Sequence, residues 1–252
     1  MKRYLLSIAL LCLVATGAQS FWQSRQQVSI SAGGGSLPVA TFQTGLAMTG
    51  TGVTQTATVS LPGTGQSFVV VAFSGNAVNG GNPIVSVTVA SAGGTGTLSL
   101  TVKDASPEVA IYQGTMPVGS NSDTSATVTL TYTANPFGGT ILNLWTVPAA
   151  NISSTTAVTG SLDTTGTITA AANLSTTSGG FIIVAGRSSD NTGGQTITVS
   201  GTTETLITDF TVNSGIVAVG GHVNGIATNA SNSVAVNFST SANLRMAAAA
   251  WR

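Results

Sequence analysis

Few residues of this 252-residue chain have side chains suited to chemistry. The single histidine, His222, stands in the segment VGGHVNG. As a general base it would need a nucleophile and an orienting carboxylate around it. No Ser, Asp or Cys stands in a recognisable elbow or triad context, and the one cysteine, Cys12, lies in the apolar N-terminal segment. The pattern favours a histidine at a strand end or in a loop, and it predicts no catalytic residue.

Seven carboxylates remain as acid or base candidates. A glycoside hydrolase needs two of them facing each other across a cleft, with one in an apolar pocket. Most of the seven stand beside turn residues, where a carboxylate commonly bonds to the backbone. A secreted hydrolase is therefore the least favoured function class. The seven residues are Asp104, Glu108, Asp123, Asp163, Asp190, Glu204 and Asp209.

Metal chemistry has equally little support in the sequence. One histidine and one cysteine cannot assemble a zinc site of ordinary ligands. The segment SSDNTGG, residues 188–194, places oxygen ligands near glycines and suits calcium, but it lacks the EF-hand spacing. A plain turn held by an Asx side chain is the favoured interpretation. We expect no metal and no cofactor.

Aromatic residues are the remaining candidates for ligand binding. An aromatic ring offers an apolar body that can cover the face of a sugar. Tyr132 and Phe137 bracket the loop TANP, and Trp22 and Phe210 are further candidates. Ordinary packing is the alternative for each of these four residues. Two more tryptophans recur at matching places in a repeat and are predicted to lie in the core.

The composition is that of a charge-poor all-β protein. Charged residues make up 6% of the chain, against roughly 25% in an average globular protein. Hydrophobic residues reach 42% and mean hydropathy is +0.39, so the chain can build a core whose surface is wetted mainly by Thr, Ser, Asn and Gln. The 31 glycines favour turns. Basic residues are isolated, whereas nucleic-acid binding needs clustered phosphate contacts, so we expect no nucleic-acid partner.

The first twenty residues, MKRYLLSIALLCLVATGAQS, are typical of a secretory signal peptide. A basic start, an apolar stretch and small residues at the cleavage positions are all present. The apolar run is too short for a comfortable membrane span. The alternative is an uncleaved hydrophobic N-terminal helix. Residues 21–37, with an aromatic start and a glycine-rich end, are predicted to form an N-terminal arm.

The rest of the chain contains an internal repeat. FVVVAF at 68–73 returns as FIIVAG at 181–186, and residues 108–147 align with 215–252, so that Trp145 matches Trp251. Segments such as ATVTLTY alternate apolar and polar residues, as half-buried strands do, while FVVVAF is apolar on both faces and predicts a central strand. We therefore predict a duplicated antiparallel β-sandwich, jelly-roll-like, with units at 38–148 and 149–252 and no helix beyond the N-terminal segment. Two tandem sandwiches are preferred over one fused sandwich.

The ordered series of these strands, above all the AIY…PVG segment and the AAAAWR ending, resembles a group of jelly-roll-like proteins of alphaproteobacterial phages and prophages. The resemblance spans about residues 55–252. It implies a virion-associated or host-surface-binding role, and it transfers no catalytic residue.

The expected function is thus that of a non-enzymatic structural protein on a virion or particle surface, such as a capsid decoration, fibre or tail component. Its expected partners are other virion subunits, further copies of itself and cell-surface polysaccharide. The alternative is an exported carbohydrate-binding or adhesion module of a bacterial cell. The structural protein is expected in the virion, and the alternative adhesion module is expected outside the cell.

Overall fold

The computed structural model describes most of the chain from Leu37 to Arg252. The leader at 1–20, and all but the last residue of the arm at 21–37, lie outside the described residues. The ranges that the structure describes are 37–49, 52–63, 68–75, 84–104, 108–117, 122–134, 140–148, 152, 154–162, 166–188, 195–199, 207–213, 216–238 and 244–252.

The first eight strands form one antiparallel sheet in the order β1-β8-β3-β6-β5-β4-β7-β2. The long strand β5 pairs with β4 through its first half and with β6 through its second, so the sheet folds into two layers at β5. This order is that of an eight-stranded jelly roll. The strands are β1 (Thr41–Ala47), β2 (Thr54–Ser60), β3 (Phe68–Gly75), β4 (Ile84–Ser91), β5 (Gly94–Lys103), β6 (Val109–Thr115), β7 (Ser125–Tyr132) and β8 (Thr140–Val147).

The second half of the chain repeats this topology. Its sheets run β13-β14-β11-β16-β9 and β10-β15-β12, the order of the first half strand for strand. Among the described residues, β13 pairs with β14 but not with β12, whereas its counterpart β5 pairs with both β4 and β6. The strands are β9 (Ser154–Leu162), β10 (Gly166–Thr176), β11 (Gly180–Ser188), β12 (Gln195–Val199), β13 (Ile207–Asn213), β14 (Ile216–Ile226), β15 (Asn229–Phe238) and β16 (Leu244–Trp251).

The predicted all-β class and the duplicated jelly-roll-like sandwich are thus confirmed, and the described residues contain no α-helix. Period-two alternation explains the strands. In β7, Ala126, Val128 and Leu130 point into the sandwich, and the threonines between them stay partly exposed. Inward-facing residues of both layers form the core of the first half, and an equivalent core fills the second.

The strand β3 is central and buried on both faces, as its sequence predicts. Val69, Val71 and Phe73 point into the sandwich of the first half. Phe68, Val70 and Ala72 point the other way, into a third core that the two halves share. The corresponding members from the second half are Phe181, Ile183, Ala185, Ala247, Ala249 and Trp251.

The two halves therefore stack with one sheet of each against the other, and residues from Leu37 to Arg252 form one compact unit. The contacts are reciprocal: β1 lies beside β13, and its counterpart β9 lies beside β5. Asn224 of β14 strengthens the contact, since its side-chain amide bonds both to the N–H of Ala40 at 2.7 Å and to its C=O at 2.9 Å.

The strand register corrects one detail of the sequence alignment. Trp145 lies opposite Val70, whereas Trp251 lies opposite Phe181. If Phe68 and Phe181 are equivalent, as the repeat indicates, the two tryptophans stand two residues apart in the common register. Both are nevertheless buried in the shared core, as predicted.

Candidate functional site

The tryptophans hold the two halves together through reciprocal hydrogen bonds. The indole Nε1–H of Trp145, on the last strand of the first half, donates to Nδ1 of His222 on β14 at 3.2 Å. Trp251, on the last strand of the second half, donates to Oε1 of Gln113 on β6. Because an indole N–H only donates, His222 accepts at Nδ1 and carries its proton on Nε2. The lone histidine is thus a buried interface acceptor.

A cluster of four charged residues lies between the halves. Arg187 Nη1 is 3.0 Å from Glu108 Oε2, and Arg245 Nε is 3.4 Å from the same oxygen. Arg245 Nε is also 3.7 Å from Asp104 Oδ2. Both arginines come from the second half, where they face each other on β11 and β16, and both carboxylates come from the first. We call these four residues the ionic cluster.

The ion pairs of the ionic cluster join residues of the two halves. Asp104 Oδ1 accepts from the backbone N–H groups of Glu108 and Val109, at 2.8 and 3.0 Å. Arg187 also donates to the backbone oxygen of Gly75 at 2.6 Å. Burial lowers the pKa of Arg187, and the charge of Glu108 opposes that shift. Two of the seven carboxylates therefore meet, but each is bound to arginine, and the charges of the cluster cancel.

The aromatic candidates do not assemble into a described surface. Tyr132 ends β7 and packs against the core of the first half, and its hydroxyl lies 2.7 Å from Thr140 Oγ1. Burial raises the pKa of Tyr132 to about 12. Phe210 is placed by its backbone in β13, opposite Val219. Trp22 and Phe137 lie outside the described residues. Tyr132 is therefore a residue of the core margin.

In the described part of the chain, no group of three or more His, Cys, Asp and Glu side chains is arranged to hold a metal ion. Of the segment considered for calcium, only Ser188 is described, buried at the end of β11. The same part of the chain contains no helix long and apolar enough to cross a membrane.

The outer face of the layer β5-β4-β7-β2 carries mainly threonine and serine side chains, all exposed or partly exposed, with Ala90 of β4 among them. Register aligns them into rows across the strands: Thr56 is opposite Thr129, Thr129 opposite Thr88, and Thr88 opposite Thr97. We call it the hydroxyl face. Its members are Thr54, Thr56, Thr58, Ser60, Ser86, Thr88, Thr95, Thr97, Ser125, Thr127, Thr129 and Thr131.

The hydroxyl face and the ionic cluster were not predicted, although the sequence carries a signal for each. The alternating threonines of ATVTLTY were assigned to water, but their alignment across four strands depends on pairing order, which no single segment reveals. Arg187 and Arg245 each interrupt an apolar strand, in FIIVAGR and LRMAAAAW, and such a charge requires a partner when it is buried.

No family model, no curated protein and no solved structure matches the chain.

Proposed function

We propose that the protein is a non-enzymatic structural component of a virion or other particle surface, where its hydroxyl face contacts neighbouring subunits or host-surface glycans. The hydroxyl face is the observation that carries this proposal. In each half, the layer that contains β3 or its counterpart β11 packs into the shared core. The other layer of the first half therefore presents its broad, uncharged outer face to solvent.

Three further points support a role in contact rather than in catalysis. Eight-stranded jelly rolls recur in viral capsid and lectin domains, and the strand series resembles jelly-roll-like phage proteins. The histidine and two carboxylates are engaged in holding the halves together. A surface of low charge also tolerates dense association with like subunits. Fold alone does not decide function, so the proposal depends on the outward face and on its test.

Native protein from sedimented particles and from cleared culture fluid tests the particle role. We expect the chain in the particle fraction, and we expect purified protein to rebind particles that lack it. A pure protein that stays monomeric and does not rebind such particles contradicts the proposal.

An exported carbohydrate-binding or adhesion module is the second candidate, and the signal-like N-terminus favours it. Mass spectrometry of the same two fractions separates the candidates. A mature chain that begins near Phe21 and is free in the fluid supports the exported module. Peptides from residues 1–20 in the particle fraction support the virion component.

A further inference from the structure

The chain contains a single histidine, and it lies where the two halves meet. His222 is 3% exposed, and its strand places it between Ile183 of β11 and Ile207 of β13. The Nδ1 lone pair accepts the indole N–H of Trp145, and Nε2 carries the ring proton. Nδ1 is therefore the ring position at which His222 takes up a second proton.

A proton at Nδ1 is incompatible with the bond from the indole. A protonated imidazole donates from both of its nitrogens, and an indole nitrogen only donates. Turning the ring offers no acceptor either, since both nitrogens then carry hydrogen. Two N–H groups would face each other inside the shared core, and a buried donor without an acceptor costs the full penalty of its desolvation. Protonation of His222 therefore breaks its contact with Trp145.

The strands around His222 carry few charged residues. In the first half, β1, β3 and β8 lie against β13 or β14, and none of the three contains a charge. Arg187 on β11 has the same sign as an imidazolium, and it lies about 13 Å along that strand from Ile183. The carboxylates of the ionic cluster are bound to arginines. In the strands that pair with β14, the one acid is Asp209, which its backbone places opposite Gly220.

The reciprocal contact between the halves has no comparable sensitivity to acid. There Trp251 donates to Oε1 of Gln113, and a carboxamide has no group that titrates near neutral pH. One of the two indole bonds between the halves thus has an acceptor that takes up a proton in mild acid, and the other does not.

We propose that His222 is a proton-sensitive joint between the two halves. Uptake of a proton at Nδ1 breaks the bond from Trp145 and loosens the shared core beside it, while the bond to Gln113 persists. An imidazole in an unfolded chain takes up its second proton with a pKa of about 6.5. Below that pH the unfolded chain binds more protons than the folded chain, so stability is full above about pH 6.5 and falls in more acidic solution. This property belongs to the fold and does not depend on the proposed surface role.

Urea unfolding of the full chain at about pH 7.5 and about pH 5.5, followed by tryptophan fluorescence, tests the proposal. The chain has no other histidine, and carboxylates in an unfolded chain titrate near pH 4, so this window separates the proton of His222 from theirs. The matched control is His222→Gln. It gives β14 the same kind of acceptor that Gln113 supplies in the reciprocal contact.

We expect the unfolding equilibrium constant of the native protein to rise about tenfold from pH 7.5 to pH 5.5, and that of His222→Gln to change less than about twofold. Hydrogen exchange of the indole N–H groups in the folded protein gives a local measure. The ratio of the exchange rate of Trp145 to that of Trp251 should rise in acid in the native protein and stay constant in His222→Gln.

The proposal is overturned if the native protein is as stable at pH 5.5 as at pH 7.5, which is also the result expected if Asp209 offsets the new charge. It is equally overturned if His222→Gln loses as much stability in acid as the native protein, or if the exchange ratio of the native protein does not change. Should His222→Gln fail to fold, the two measurements on the native protein still decide the question.

Discussion

Replacing Arg187 by methionine should destabilise the protein more than any surface substitution. Arg187 is 2% exposed, and the change removes its ion pair with Glu108 at 3.0 Å and its hydrogen bond to Gly75 at 2.6 Å. Removing one partner of a buried pair costs about 3–5 kcal/mol, because the remaining charge stays buried. Glu108 keeps Arg245 at 3.4 Å, which argues for the lower end of that range.

Urea unfolding followed by tryptophan fluorescence measures this loss, since Trp145 and Trp251 both lie in the shared core. A loss of about 3 kcal/mol lowers Tm by roughly 6–12 °C in a unit of this size. The control is Lys103→Met, which removes an exposed charge and should change stability by no more than about 0.5 kcal/mol.

The double variant Arg187→Met with Glu108→Gln sharpens the test. It removes both charges of the pair, so it should recover part of the stability that Arg187→Met loses. An Arg187→Met loss no larger than that of Lys103→Met would refute the reasoning. So would a double variant that is less stable than Arg187→Met alone, because the cost would then not arise from an unpaired buried charge.

Burial raises the pKa of Tyr112 and Tyr132 from 10.0 to about 12. Between these pH values the folded state keeps phenol protons that the unfolded chain loses. The free energy of unfolding should therefore be unaffected below pH 10 and fall between pH 10 and about 12, by of order 2 kcal/mol for each tyrosine. Urea unfolding across that range should show a shallower fall for Tyr132→Phe. His222→Leu removes the acceptor of the Trp145 indole and should cost about 1–2 kcal/mol, whereas His222→Gln, which keeps an acceptor, should cost less. Gly220→Ala places a Cβ 2.9 Å from Trp145 Cη2 and should cost about 1–3 kcal/mol by overpacking, read as a lower Tm.

Each of these expectations has a clear contrary result. Stability that stays flat from pH 10 to 12 would contradict the burial of the two phenols. Equal stabilities of His222→Leu and His222→Gln would show that the hydrogen bond from the Trp145 indole does not stabilise the interface. An unchanged Tm in Gly220→Ala would mean that β14 and Trp145 can separate without cost.

The strands were predictable from sequence because they depend on local alternation. FVVVAF was predicted as a central strand, and β3 lies between β6 and β8 with both faces buried. The repeat predicted the duplicated topology, which the sheet orders confirm. The sequence did not show what covers the second face of β3. That face meets β11 of the other half, and such a contact depends on how whole sheets stack.

Side-chain roles were less predictable than strands for the same reason. Tyr132 was considered as a platform for a sugar because it flanks a turn-rich loop, yet its hydroxyl bonds to Thr140 on the strand that begins after that loop. Asp104 and Glu108 stand beside turn residues, but their arginine partners are far away along the chain. Arg187 and Arg245 are 79 and 137 positions after Glu108, and Arg245 is 141 positions after Asp104. No local pattern predicts a pairing over that separation.

The reciprocal contacts between the halves are of the kind found in two-fold symmetric dimers, where one surface meets a copy of itself. Here a single chain carries both surfaces. Association of the halves is then intramolecular, and it does not weaken when the protein is diluted. Nor do the two surfaces have to stay identical: His222 accepts from one tryptophan and Gln113 from the other, and all four members of the ionic cluster are divided by sign between the halves. In a symmetric homodimer every such contact would occur twice, once in each direction. A single chain can instead carry different residues in its two halves, so each half can specialise while the two stay packed together.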